Sequence, residues 1–154
     1  MSAGGGLTHR LNLEDEILIK DNHLALLNLD IEKAIESAKN KSYFIEIEVE
    51  NKEQAINAAK IIKKSLTEKI SSQRGNFFAL MLDKIEPHET KKIIGELKNL
   101  GLYENVLLEA SGNITPDNIL SYKDCGADII SMGWLTNSVK SLDMSMDIAP
   151  QINF

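Results

Sequence analysis

Three cations stand close together near the start of this sequence: His9 and Arg10, which close GGGLTHR (Gly4–Arg10), and Lys20 further on. Arginine offers a planar fork that matches a carboxylate or phosphate, and lysine a mobile point charge. The trio suits a small dicarboxylate or a phosphate, with the glycines letting backbone pass close to it. Left on the surface, the same residues would form a solvated patch. Carboxylates follow. If EIEVE is a strand, Glu46, Glu48 and Glu50 share one face and Ile45, Ile47 and Val49 the other. Like charges on one buried face are costly unless cations or a metal neutralise them. Asp83 closes FFALMLD, whose apolar run is the longest in the chain. A Glu48–Asp83 pair suits ribose hydroxyls or a hydrated Mg²⁺, which takes one or two carboxylates and keeps its waters. Two glycine turns come later, SGN (Ser111, Gly112, Asn113) and SMG (Ser131, Met132, Gly133). Where such turns lead into helices, their backbone N–H groups cradle an anion.

Other residues read as structural. His23 in KDNH is expected to be a hydrogen-bonding group of the fold, and His88 an exposed residue of a helix's first turn. Trp134 and the methionines are expected in the core or an interface. Cys125 is the single cysteine, so no intramolecular disulfide or cysteine metal cluster forms, and a buried free thiol is expected. The sequence has no HExxH, CxxC, GxSxG or Walker lysine, so zinc proteolysis, dithiol redox, serine hydrolysis and P-loop chemistry lack support. With 17 Lys and Arg against 23 Asp and Glu, the net charge is −6. That argues against nucleic acid or an anionic membrane as the main partner, though not against small anions. The longest apolar run, FFALML, is too short to span a bilayer, and no signal peptide is evident. A cytoplasmic protein is expected.

The elements that must position these residues alternate in type. Strands are predicted at EILIK (Glu16–Lys20), YFIEIEV (Tyr43–Val49), FFALML (Phe77–Leu82), NVLLEA (Asn105–Ala110) and ADIISM (Ala127–Met132). Helices are predicted over Asp30–Asn40 with Asp30 as N-cap, Asn51–Ile70, Glu86–Gly101 with Pro87 in the first turn, and from Thr115 with Pro116 at its first position. A short helix is expected within TNSVKSLDMSMDI. The 154 residues suffice for one domain. The alternation means βα units and a parallel α/β sheet, either barrel or doubly wound. Every strand ends in a charged, hydroxyl or glycine residue, which favours a partial or open (β/α) barrel, TIM-barrel-like, whose strand ends converge on one mouth.

Taken together, GGGLTHR, LIKDNH, IEVE followed by EQA, LLEASGNIT and ISMGWLTNSVKSLDMSMDI resemble the quinolinate phosphoribosyltransferases, in the family's order and over nearly the whole chain. The resemblance implies transfer of phosphoribosyl from phosphoribosyl pyrophosphate (PRPP) to quinolinate, with loss of CO₂ and pyrophosphate, giving nicotinate mononucleotide for NAD biosynthesis. It implies that His9, Arg10 and Lys20 hold the quinolinate carboxylates and that Glu48 and Asp83 face the PRPP ribose and its Mg²⁺. Ser111, Gly112 and Asn113 take the phosphate, with Met132 and Gly133 beside them. Lys20, Glu48 and Asp83 are the expected catalytic residues. The chain departs from the family pattern at Lys84, where LDN is usual, and at Asn113, where SGGI is usual; asparagine tolerates the positive φ of such a turn. The stretch between Glu48 and Asp83 is longer than usual, which places an insertion on the helix side. Relative to the family, the sequence lacks the N-terminal domain and the first barrel segment, so residues 1–154 read as a single C-terminal barrel domain. A homodimer or larger homo-oligomer, or a separate N-terminal half, is the implied partner. The alternative is a non-catalytic remnant or partner subunit. A Schiff-base aldolase with Lys20 as nucleophile is weaker, because acidic Asp21 stands beside it and nothing evident lowers its pKa.

Overall fold

The computed structural model describes residues 4–12, 14–68, 76–141 and 143–146. At its centre is a five-stranded parallel sheet: β1 (Ile17–Ile19), β2 (Phe44–Val49), β3 (Phe77–Asp83), β4 (Leu107–Ser111) and β5 (Ile129–Ile130). The spatial order β1-β2-β3-β4-β5 repeats the order along the chain. That succession belongs to a barrel wall; a doubly wound sheet reverses its order at a switch point. The sheet is open between β1 and β5, which makes the fold the expected open (β/α) arrangement.

Five helices accompany the strands: α1 (Asp21–Leu26), α2 (Ile31–Ala38), α3 (Lys52–Glu68), α4 (Pro87–Asn99) and α5 (Trp134–Asn137). The three long ones match expectation. Asp30 caps α2 by accepting the Lys33 N–H at 2.9 Å. Pro87 opens α4, and Gly101 follows it in the left-handed region at φ 63°. The single turn of α1 is unheralded. His23 secures it by accepting the Lys20 N–H on Nδ1 at 3.0 Å, the structural role expected of that residue. Residues 69–75, which follow α3 and carry part of the expected insertion, lie outside the described residues.

The helix expected from Thr115 does not form. Residues 116–124 make turns and one 3₁₀ segment, Ile119–Tyr122. Asn118 bonds locally here: its Oδ1 accepts the Thr115 N–H at 2.8 Å and its Nδ2 donates to the Asn113 carbonyl at 3.0 Å. Such local side-chain bonds compete with helix formation. β5 is shorter than ADIISM, and the last helix begins at Trp134, ahead of the TNSVK stretch. Trp134 is half-buried, while Met144 and Met146 are exposed and so form no part of the core.

The strand pleat divides the residues into two sets. Ile45, Ile47 and Val49 join Phe78, Leu80, Leu82 and Leu108 in the main core, under α2, α3 and α4. Ala55, Ala58 and Ala59 bring α3 close to the sheet, and Ile62, Ile93, Ile94 and Leu97 fill the remaining space. Burial of each large aliphatic side chain contributes about 1.5–3 kcal/mol. The alternate set, Glu46, Glu48, Ala79, Met81, Asp83, Glu109 and Ser111, points away from the helices. A smaller cluster of Ala110, Ile114, Tyr122 and the free thiol Cys125 closes the β4 end, with Met132 packed on it. Asp128 fastens β5 to this end: its carboxylate accepts the Leu108 N–H at 2.8 Å and the Tyr103 hydroxyl at 3.0 Å.

Candidate active site

Register decides which polar residues meet on the face without helices. Glu46 lies opposite Ala79, Met81 opposite Glu109, and Asp83 opposite Ser111. Glu46 on β2 and Glu109 on β4 therefore flank β3, where the small Ala79 leaves room between them. Both side chains are almost fully buried, at 1% and 2% exposure. The segment that carries GGGLTHR lies over them. His9 Nε2 is 3.1 Å from Glu46 Oε2 and 3.4 Å from Glu109 Oε2, and His9 Nδ1 is 2.8 Å from Glu16 Oε1. Arg10 Nε lies 3.7 Å from the same Glu16 oxygen.

Glu16 Oε1, Glu46 Oε2 and Glu109 Oε1 are buried without a hydrogen-bond partner. Burial, then repulsion from Glu109 and Glu16 and a side-chain hydrogen bond with Glu109, pushes Glu46 up to about 8, against some relief from Arg10. Glu46 is therefore protonated at neutral pH. Two carboxyl groups that share a proton need no full counter-charge, which is how the buried pair is tolerated.

A second tier lies nearer the carboxyl ends of the strands. Lys20 Nζ is 4.0 Å from Glu48 Oε2, and Lys84 Nζ is 2.6 Å from Asp83 Oδ2. Burial and the neighbouring Asp83 carboxylate raise Glu48 above the usual carboxylate range, and Lys20 opposes the rise. Glu48 lies opposite Met81, so Asp83 stands two residues further along the adjacent strand on the same face. The turn after β4 packs directly on this pair. Lys84 donates its N–H to the Ser111 carbonyl at 2.8 Å. Gly112 sits at φ 84°, where an added Cβ would fall 2.5 Å from Asp83 Oδ1 and 2.7 Å from Lys84 N and Cγ. Only glycine fits there. Asn113 takes φ 57°, so it keeps the turn as expected. Lys84 takes the same φ, which is uncommon for a residue with a long side chain.

The structure thus brings together Lys20, Glu48, Asp83 and the Ser111–Gly112–Asn113 turn at one mouth, with His9 and Arg10 on the loop that lies against the same face. Met132 packs on the small cluster, and Gly133 has an ordinary φ of −61°. The anion cradle is smaller than expected: SGN leads into turns instead of a helix, and SMG into the single turn of α5. Three residues of the face were not singled out as site residues in the sequence: Glu16, Glu109 and Lys84. A carboxylate inside the apolar run LLEA was the available signal for Glu109. Ligand atoms of His9, Glu16 and Glu46 lie within 4.8 Å of one another, a spacing that could hold a metal ion. The Arg10 guanidinium beside Glu16 already supplies positive charge there and would repel a second cation. Among the described residues no helix is long and apolar enough to cross a membrane.

Comparison with known proteins agrees with this arrangement. Residues 1–147 match the family model for the quinolinate phosphoribosyl transferase C-terminal domain. A probable carboxylating nicotinate-nucleotide pyrophosphorylase of Methanocaldococcus jannaschii is 42% identical over 149 residues, which cover 94% of this chain and 47% of that protein. Its namesake from Methanothermobacter thermautotrophicus is 36% identical over 148 residues, covering 94% and 48%. A crystal structure of a NadC deletion mutant superposes with a TM-score of 0.76 at 32% identity, covering 95% of this chain and 45% of that one. The chain spans about half the length of the curated relatives it matches.

Proposed function

Because the chain belongs to the quinolinate phosphoribosyl transferase family, we propose that it is the barrel domain of an enzyme that transfers phosphoribosyl from PRPP to quinolinate. Pyrophosphate and CO₂ leave, and nicotinate mononucleotide forms for NAD synthesis. One observation carries the proposal: the Lys20–Glu48 contact, the Glu48–Asp83 pair and the glycine turn at Gly112 meet at the carboxyl ends of adjoining strands. Loops at that end of a barrel are where ligands bind.

In this reading His9, Arg10 and Lys20 hold the two quinolinate carboxylates by charge-assisted bonds. Ser111, Gly112 and Asn113 take the phosphate of PRPP, with the backbone of Met132 and Gly133 beside them. Glu48 and Asp83 face the ribose, where fixed carboxylates stabilise positive charge that develops at C1 as pyrophosphate departs. The same pair suits Mg²⁺ brought in with PRPP. Two mostly buried carboxylates on adjacent strands match the one or two such ligands that a hydrated dication takes, and Lys20 and Lys84 would have to turn away from them to admit it. Mg²⁺ would offset the pyrophosphate charge. In this reading the domain works in the cytoplasm, as a homodimer or larger homo-oligomer or with a separate N-terminal half.

The test is turnover by the full-length protein with quinolinate, PRPP and Mg²⁺, followed as nicotinate mononucleotide. Lys20→Ala and Glu48→Gln should each lower kcat/KM by at least about 100-fold, on the order of 3 kcal/mol of transition-state stabilisation. Full activity in Lys20→Ala would remove that residue from the mechanism. Absence of turnover in a folded protein that still binds PRPP through Glu48 and Asp83 would favour a partner subunit that lacks catalysis.

A further inference from the structure

Two of the three cations to which the dicarboxylate reading assigns a ligand, His9 and Arg10, already lie against a carboxylate. Glu16 stands just before β1, and its Oε1 lies 2.8 Å from His9 Nδ1 and 3.7 Å from Arg10 Nε. Its side chain is 15% exposed, and that oxygen is buried with no hydrogen-bond partner. Glu16 is thus held by the charge of Arg10, without the directed N–H bonds that a free carboxylate could make to an arginine fork. It also crowds Glu46, whose proton affinity it helps to raise. A side chain held by charge alone, and in conflict with a buried neighbour, is poorly fixed in its place.

We propose that Glu16 is an internal occupant of the anion pocket, seated between His9 and Arg10 in the ligand-free protein and displaced when a dicarboxylate enters. The inference rests on the reading of His9 and Arg10 as the dicarboxylate pocket. Its physical content is competition. A ligand binds only those molecules whose pocket Glu16 has vacated, so the observed affinity is the intrinsic affinity reduced by that fraction. While seated, Glu16 offsets the charge of Arg10, which would otherwise stand over the sheet without a partner carboxylate. Glu16 is in this sense an affinity-setting residue, whose removal should improve binding where loss of a positioning residue would impair it.

The experiment is titration calorimetry with quinolinate on the full-length protein as wild type, Glu16→Gln, Glu16→Ala and Arg10→Gln. Thermal melts establish that each variant is folded. Glu16→Gln keeps the side-chain shape and removes the charge; Glu16→Ala removes both and stands in if the glutamine variant does not fold. Both are expected to bind quinolinate about five- to tenfold more tightly than wild type, as for a competitor seated in about 80–90% of molecules, and Arg10→Gln more weakly. Affinity unchanged or reduced in both Glu16 variants, with Arg10→Gln still weaker than wild type, would overturn the inference and leave the pocket reading intact. No quinolinate binding by any folded protein in the set would overturn both.

Discussion

Replacement of Glu46 by glutamine tests the buried carboxyl pair through the pH dependence of stability. Glu46 is pushed from its ordinary 4.5 to about 8 in the folded protein, chiefly by burial. Between those values the folded state keeps a proton that the unfolded chain has released. Unfolding then releases that proton, and the stability of the wild type falls as pH rises through the window. Each pH unit is worth about 1 kcal/mol, so the whole interval amounts to roughly 3–5 kcal/mol. Glutamine imitates the protonated acid and can still donate to Glu109, but it does not titrate. The stability of Glu46→Gln minus that of wild type should therefore climb with pH by about 1 kcal/mol per unit from pH 4.5 to 8 and level off outside it. Urea denaturation of both proteins at one-unit steps from pH 4 to 9 gives the difference directly, and shifts common to both cancel. A difference that stays flat across the window would refute the shared-proton account of Glu46 and Glu109. A difference that falls with pH would mean that Glu46 is ionised and held by His9.

Three further outcomes follow from local geometry. Gly112→Ala forces a Cβ against Asp83 and Lys84 at φ 84° and should destabilise the protein by roughly 2–4 kcal/mol, read by chemical denaturation. Lys84→Asn relieves a left-handed lysine while losing the bond from its exposed ammonium to the mostly buried Asp83, and the melting temperature should rise, by the equivalent of about 0.5–1 kcal/mol, if the strain is the larger of the two; a lower melting temperature would mean that the contact with Asp83 outweighs the strain. Asp128→Ala removes the acceptor of both the Leu108 N–H and the Tyr103 hydroxyl and should cost about 1–3 kcal/mol, with faster amide exchange at Leu108.

The fold was largely legible because its signals are periodic. Alternation in YFIEIEV separated Ile45 and Ile47 from Glu46 and Glu48, and the alanine stripe of α3 marked its buried side. The misses share a cause. α1 is too short to show a period, and its His23 cap is a side-chain bond without a composition signature. The Thr115 stretch has a good N-cap and a well-placed proline, yet Asn118 folds it back on itself, a competition invisible to propensity. At the site, Lys20, Glu48, Asp83 and Gly112 could be anticipated because each closes or follows a strand. Glu109 showed only as a carboxylate inside LLEA, and Glu16 gave no signal. Their meeting with His9 depends on how β2 and β4 flank the small Ala79 and on how the first loop falls across them. Spacing along the chain does not encode either. The left-handed turn at Lys84 was hidden for a related reason, since nothing in a lysine advertises positive φ.

The two-faced pleat of β2 and β3 has a consequence for how this chain can change over generations. Substitution at Ile47 acts on the helices and substitution at Glu48 on the mouth, so point mutations can adjust either face with little effect on the other. Insertion or deletion of a single residue within either strand has no such freedom. It would exchange the two sets at one stroke, carrying the glutamates into the helix-packed core and the isoleucines out to the mouth. Length variation should therefore gather in the connections, while the spacing from Glu46 to Glu48 and from Ala79 to Asp83 stays fixed even where the residues themselves drift.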